Sequence, residues 1–197
     1  MTALIWTLIG FFFGALPLSV WLGRLVLRTD IRRYGDGNPG GTNVARAGNT
    51  RLGVLAIFLD MLKAAAPVAL AYYVFGVTGL GLTPVVLAPI LGHAFSPFLG
   101  FRGGKALACT FGAWSALTVP FGPFVMGGSV FLFHKVFAVS GWAVMGAMLM
   151  LLVFLLIAGV TLPLLAAWAG TVAILAWTHR ADLRQPPRFG RTVGRQP

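Results

Sequence analysis

Long apolar stretches alternate along this chain with short polar interruptions. Apolar runs bounded by glycine, proline or charge cover about 3–27, 52–77, 81–99, 105–122, 124–138, 140–157 and 160–178. Most approach the roughly 20 residues that a helix needs to cross a bilayer. The last four come from two longer runs, divided at Pro120 and Pro123 and again at Pro163, where a helix loses backbone donors. The pattern predicts an all-α, polytopic membrane helix bundle of about seven transmembrane helices. The fifth run, "FVMGGSVFLFHKVFAVS", is short and carries Gly127 and Gly128, so a kinked or partly re-entrant segment is expected there.

Charge fixes an expected orientation. One set of connections holds Arg28, Arg32, Arg33, Arg46 and Arg51, then Arg102 with Lys105, then Lys135, then the arginines from Arg180 onward. The alternate connections, "GVTGLG", "VPFGP" and "AGVTLP", hold none. Basic loops stay in the cytoplasm, which places the N-terminus outside and the C-terminus in the cytoplasm. The opening "MTALIWTLIGFFFGALPLSVWLG" has no basic n-region and an apolar run longer than a signal-peptide core, and is expected to be a retained helix.

Composition agrees with the pattern: of 197 residues, 58% are apolar and 10% charged, against about a quarter charged in soluble domains. Mean hydropathy is +0.87. Residues 1–184 are expected to form one transmembrane domain, followed by a basic, flexible cytoplasmic tail over 185–197. The net charge of +11 flanks apolar segments rather than a soluble fold. It therefore points to membrane lipids and anionic ligands and not to nucleic acid. Cys109 is the only cysteine, which excludes an intrachain disulfide and reads as packing.

Three polar clusters fall on the basic side. The loop "RTDIRRYGDGNPGGTNVARAGNTR" has the backbone freedom to gather several amide N–H groups in one concavity, with Thr42, Asn43 and Arg46 turned toward the same centre. The second cluster is "GHAFSPFLGFRGGKALA": His93 ends one span, and Gly103 and Gly104 lead into the next with Lys105 in its first turn. Free N–H groups and the positive helix end there suit an anion. It is no Walker A loop, since Leu99 and Ala106 occupy the positions of the required glycine and Ser or Thr. The third is "HRADL", with His179, Arg180 and Asp182. Deeper in the bilayer, Asp60 and Lys63 share one helical face and are expected to pair or to touch substrate. No HExxH motif, histidine–carboxylate cluster or base beside Cys109 suggests metal or nucleophilic cysteine chemistry. The sequence also leaves open a transporter of anions or phosphorylated metabolites, and a phospholipid-binding protein without catalysis.

Four segments carry a family resemblance over nearly the whole chain up to about residue 184: "DIRRYGDGNPGGTNVAR", "FLDMLKAAAP", "GHAFSPFLGFRGGKALA" and "HRADL", in this order between apolar spans. In these the chain resembles the bacterial membrane glycerol-3-phosphate acyltransferases that use acyl phosphate as donor. The resemblance implies a seven-helix enzyme of the bacterial inner membrane with its active site facing the cytoplasm. Such an enzyme transfers a fatty acyl group from acyl phosphate to the 1-hydroxyl of glycerol 3-phosphate, without metal or cofactor. The products are 1-acylglycerol 3-phosphate (lysophosphatidate) and phosphate. Carried onto this sequence, it implies catalytic roles for His93, Lys105, Arg46 and His179. Substrate and phosphate contacts would come from Asp36, Gly37, Asn38, Gly40, Thr42, Asn43, Gly103, Gly104, Ser140, Arg180 and Asp182. The chain departs from the family pattern at Asp36, where serine is usual, at Ala181 and Asp182 in the third cluster, and at Ala15. A later family glutamate has no equivalent in "RQPPRFGR". A carboxylate at 36 repels phosphate unless Arg46 or another base offsets it.

Overall fold

A computed structural model of the chain describes residues 1–190; residues 191–197, including Arg191 and Arg195 of the expected tail, lie outside the described residues. The described chain is helical, and its only β-type pairing is a single bridge between Phe137 and Phe189. Four helical runs are long and apolar enough to cross a membrane: Thr2–Val26, Thr50–Val74, Gly79–Leu99 and Ser140–Ile157. Leu107–Thr118 and Leu162–Thr178 are shorter apolar helices, and the helix Phe121–Val136 occupies the remaining run. Phe121–Val136 is a continuous helix through Gly127 and Gly128.

The first run is broken instead. It forms α1 (Thr2–Ala15) and α2 (Leu18–Val26), separated at Leu16 and Pro17, where proline supplies no N–H to continue the ladder. The carbonyls at the break find side-chain partners from the helix Thr50–Ala69 and from the connection after the helix Leu82–Ala94. Ser96 Oγ donates to Ala15 O at 2.5 Å, and Lys63 Nζ donates to Leu16 O at 2.6 Å. Lys63 lies on α4 (Thr50–Ala69), started by the Asn49 side chain, which accepts from the N–H groups of Arg51 and Leu52. One turn before it, Asp60 lies 2.8 Å from the ammonium and accepts from Ser19 Oγ of α2 at 2.6 Å. Both charged side chains are almost fully buried, and an unpaired charge at that depth would be costly.

Close helix packing uses small residues, as expected where lipid tails supply no hydrophobic drive between helices. Gly10 and Gly14 of α1 lie against Pro89 of α5 (Leu82–Ala94), and Gly92 of α5 lies against the Phe11 carbonyl. Gly112 of α6 (Leu107–Thr118) meets the Met61 carbonyl of α4. A side chain at Gly14, Gly92 or Gly112 would overlap backbone, so these contacts set the spacing of the bundle. The interior is filled by Ile90, Trp114, Leu151 and Leu175, while Phe58, Phe124, Leu149 and Ile157 face outward, as a lipid environment allows.

The helices gather their connections at two unlike ends. The polar end joins the loop after α2, with its short α3 (Gly41–Arg46), to the α5–α6 connection. It also holds the turn between α7 (Phe121–Val136) and α8 (Ser140–Ile157), and α10 (Arg180–Leu183) after α9 (Leu162–Thr178). Residues 185–190 run back along that turn: Trp142 Nε1 donates to Gln185 O and Ala138 N to Arg188 O, both at 2.9 Å. The other end carries the charge-free connections, tied by Thr83 Oγ1 donating to Pro163 O at 2.9 Å.

Candidate functional site

The loop after α2 closes on itself. Gly35 and Gly37 take φ of +58° and +72°, which a side chain would resist, and they turn Asp36 back over the loop. The Asp36 carboxylate accepts from Asn38 N at 3.2 Å and from Asn43 Nδ2 at 3.1 Å. Asn43, buried in α3, also donates to Asn38 O at 2.9 Å and accepts from Arg46 Nη1 at 3.1 Å. With its main chain fixed in this way, Asn38 directs its side-chain carbonyl at the second cluster, where it accepts from Lys105 N at 2.9 Å.

That second cluster folds back on the end of α5. Gly103 N donates to Ala94 O at 3.1 Å and Gly104 N to His93 O at 3.0 Å. A Cβ on Gly103 would overlap the His93 carbonyl, and one on Gly104 would overlap the His93 ring. Glycine is therefore required for close return, and these two amides are not the free donors expected from the sequence. The free donors come slightly later. Ala106, at φ +63°, redirects the chain so that α6 begins at Leu107. The first N–H groups of a helix have no intrahelical acceptor and carry its positive dipole end.

Lys105 is held by main chain and side chain alike. Its carbonyl accepts from Thr178 Oγ1 at the end of α9, at 3.1 Å. Its ammonium lies 3.0 Å from Asp36 Oδ2 and 3.3 Å from Asp182 Oδ2. Burial pulls the lysine's pKa down, but the two carboxylates outweigh it and leave the ammonium above its ordinary value. Burial likewise pushes Asp36 up, and Lys105 with the Asn38 and Asn43 amides brings it below the usual carboxylate range. The base that offsets Asp36 is thus Lys105, while Arg46 reaches the carboxylate only through Asn43.

Two cavities meet at this lysine. One, of about 400 Å³, is lined by Asp36, Gly37, Asn38, Arg102, Gly103, Gly104, Lys105 and Arg180, with Phe95, Phe101 and Trp177 among its walls. The other, of about 340 Å³, is mostly apolar, with Ile57, Met61, Leu107, Phe111 and Val130 on its walls, and Thr42, Asp60 and His93 at its polar side. Asn38 and Lys105 line both. Ala106, Leu107 and Ala108 at the start of α6 line the apolar one, which brings the helix dipole to the junction.

Of the expected site residues, Asp36, Gly37, Asn38, Gly103, Gly104, Lys105 and Arg180 face the polar cavity, and Gly40, Thr42, His93 and again Asn38 and Lys105 face the apolar one. Arg46 lines neither; its guanidinium is spent on Asn43, which it braces from behind. His179 is 2% exposed, with Nδ1 donating to Leu175 O at 2.9 Å, and its ring lines neither cavity. Ser140 lies off both walls beside His134 Nε2 at 3.3 Å, at the start of α8, and the next residue, Gly141, packs on Asp182. Asp182 reaches the junction through Lys105. Sequence reasoning gave no site role to Thr178, a single hydroxyl in an apolar span. Asp60 and Lys63, expected from their spacing and depth to pair or to touch substrate, lie 2.8 Å apart. Among the described residues no three His, Cys, Asp or Glu side chains gather in a way that could hold a metal ion.

The profile of the glycerol-3-phosphate acyltransferase family matches residues 4–186. The chain belongs to that family. The glycerol-3-phosphate acyltransferase of Maridesulfovibrio salexigens is 33% identical over 188 residues, covering 94% of this chain and 93% of the relative. That of Anaeromyxobacter dehalogenans strain 2CP-1 is 45% identical over 111 residues, 55% of each chain. Among solved structures, PlsY (YgiH), an integral membrane glycerol 3-phosphate acyltransferase, superposes in its glycerol 3-phosphate form with a TM-score of 0.84 at 30% identity. The match covers 93% of this chain and 91% of that one. Its lysophosphatidic acid form gives 0.82 at 28% identity with the same coverage. This glycerol-3-phosphate acyltransferase is therefore a helical, integral membrane enzyme of phospholipid biosynthesis.

Proposed function

We propose that the enzyme takes its acyl group from acyl phosphate and places it on the 1-hydroxyl of glycerol 3-phosphate, releasing 1-acylglycerol 3-phosphate and inorganic phosphate. The observation that carries this reading is the junction itself. A polar cavity with Arg102 and Arg180 on its walls and an apolar cavity share Asn38 and Lys105. A phosphorylated triol suits the first, and an acyl chain with its activated head suits the second. PlsY, whose glycerol 3-phosphate and lysophosphatidic acid forms share this fold, supports the assignment of acceptor and product.

The donor is a mixed anhydride, already activated, so the protein's task is alignment and charge stabilisation rather than covalent catalysis. The acceptor's hydroxyl oxygen attacks the carbonyl carbon and forms the ester bond. The bond from that carbon to the phosphate oxygen breaks, and phosphate leaves with the electron pair. Lys105 and the first N–H groups of α6 face the negative charge that gathers on the carbonyl and leaving oxygens. His93, on the apolar cavity wall with Gly104 against its Nε2, takes or orients the hydroxyl proton, which ends on the departing phosphate. Arg46 and Asn43 act by holding Asp36 and Asn38, and His179 acts by fixing the end of α9 beside Thr178 rather than by touching substrate. Residues 1–184 form the acyltransferase domain. The polar end faces the cytoplasm of a bacterial inner membrane, in keeping with the charge-free connections at the other end.

The deciding experiment gives detergent-purified enzyme glycerol 3-phosphate and a panel of palmitoyl donors: acyl phosphate, acyl thioester of coenzyme A, and acyl carrier protein thioester. Phosphate release matched by lysophosphatidate formation from acyl phosphate alone is the expected result. Transfer from a thioester but not from acyl phosphate overturns the donor assignment.

A further inference from the structure

Among the described residues Lys105 is the only cation that lines both cavities, yet it already carries two carboxylates. Asp36 comes from the loop after α2 and Asp182 from α10, 77 residues beyond the lysine, and both Oδ2 atoms lie within 3.3 Å of its Nζ. Neither arrangement is a chance meeting of flexible side chains. Asp36 is held by the Asn38 amide and by Asn43, which Arg46 braces. Asp182 is packed with its Cβ against Gly141 of α8. The lysine main chain is fixed at both its N–H and its carbonyl. An ammonium has three donors and no more, and two of them face carboxylates here. The group as a whole carries one negative charge. Its members are 22–45% exposed, so a ligand can reach it and the contacts can exchange.

We infer that Asp36 and Asp182 are affinity-setting residues that compete with phosphate for Lys105 and so set how tightly this enzyme holds any phosphate-bearing ligand. The inference rests on the acyl-phosphate reading above for its catalytic meaning. A phosphate group near pH 7 carries a charge of about −1.5 to −2. To engage Lys105 it must displace one or both carboxylates or accept them as neighbours, and like charges in close contact weaken binding. Arg102 and Arg180, on the wall of the polar cavity, supply attraction for the phosphate before it reaches the lysine. The arrangement weakens substrate and product together: glycerol 3-phosphate binds less tightly, and the inorganic phosphate left by each turnover is expelled rather than retained.

The test is a charge-neutralising series, Asp36→Asn, Asp182→Asn and the double variant, with Asp36→Glu as the variant that keeps the charge. Two quantities are read: KM for glycerol 3-phosphate against kcat, and binding of inorganic phosphate by calorimetry on detergent-purified enzyme with no acyl donor present. The expected result is a fall of roughly three- to tenfold in both KM and the phosphate Kd for each single variant. The double variant falls further, KM moves more than kcat, and Asp36→Glu stays nearer wild type. A rise in KM would mean that the carboxylates bind the acceptor's hydroxyls. Unchanged KM and Kd with only a lowered melting temperature would mean a structural brace. Either result overturns the inference. Because phosphate binding is read without catalysis, a wild-type enzyme that transfers nothing from acyl phosphate defeats the donor reading alone.

Discussion

Two acid–base groups lie in the same bundle and behave as opposites. Asp60 and Lys63 sit inside it, at 2% and 4% side-chain exposure, with Ser19 and the Leu16 carbonyl closing the group. Asp36, Lys105 and Asp182 sit at the junction of two cavities, at 45%, 31% and 22% exposure. The ion-pair distances are similar, near 3 Å in each. What separates them is whether another partner can arrive. In the deep group the ammonium and the carboxylate are committed to each other, and the group that approaches them from the apolar cavity is His93, whose Nδ1 lies 3.8 Å from Asp60 Oδ1. In the shallow group the members are open to solvent, so the same chemistry is expected to contribute little to folding and, on the inference above, more to binding. An ion pair therefore reveals its role by its surroundings and not by its length.

Breaking the deep group should have the largest effect. Lys63→Met leaves the Asp60 carboxylate buried without its cation, at a cost of about 3–5 kcal/mol, read as lost thermal stability in detergent. Adding Asp60→Leu to it should restore much of that loss, since an apolar pair of similar volume removes the buried charge altogether. Lys105→Met should show the reverse profile. Acyl transfer should fall by roughly 10²–10³, as when a preorganised electrostatic group is removed, while the unfolding free energy stays within about 1 kcal/mol. If Lys105→Met instead unfolds the enzyme, the contrast between the groups fails.

Gly104→Ala tests the wall between them. Its Cβ would push into the His93 ring, so activity should drop about tenfold or more and stability by roughly 1–3 kcal/mol, measured side by side on one preparation. The smallest effect is one of pH. The Asp36 carboxyl is lowered in the folded enzyme, so its contribution to stability is present above its unfolded value of about 4 and is lost as pH falls through the lower, folded value. Lys105 is raised, so its contribution is full below about pH 10 and is lost as pH rises through the folded value. Melting curves of wild type and Asp36→Asn should thus differ by at most about 1 kcal/mol across the neutral range, begin to approach each other below about pH 4, and meet only below the lower, folded value.

The helical runs were legible because lipid imposes one rule on every residue that faces it: apolar side chains, with backbone bonds satisfied inside the helix. The three polar clusters were legible as sequence segments for the same reason, since each interrupts that rule. Their directions were not. Arg46 and Lys105 look interchangeable as cations in a string, yet one spends its guanidinium on Asn43 and the other holds the cavity junction. Gly103 and Gly104 suggest open amides, but their missing side chains serve to bring the chain back against His93, which uses those amides up. Asp36 and Asp182 lie 146 positions apart in the chain, and only the packing of α8 and α10 shows that they share a lysine. Pro17 was the one local signal left unread: within the first apolar run it marks the break between α1 and α2.

That break also bears on how the chain is assembled. The first helix pair emerges from the ribosome with the Ala15 and Leu16 carbonyls lacking the side-chain partners they have in the finished fold, because Lys63 and Ser96 have yet to be synthesised. Until those residues arrive, Leu16 O has the Leu18 N–H as its partner, at 3.0 Å, and neither oxygen has a side-chain donor. The ties that fasten the break to the rest of the bundle can therefore form only once Lys63 and Ser96 have both been made.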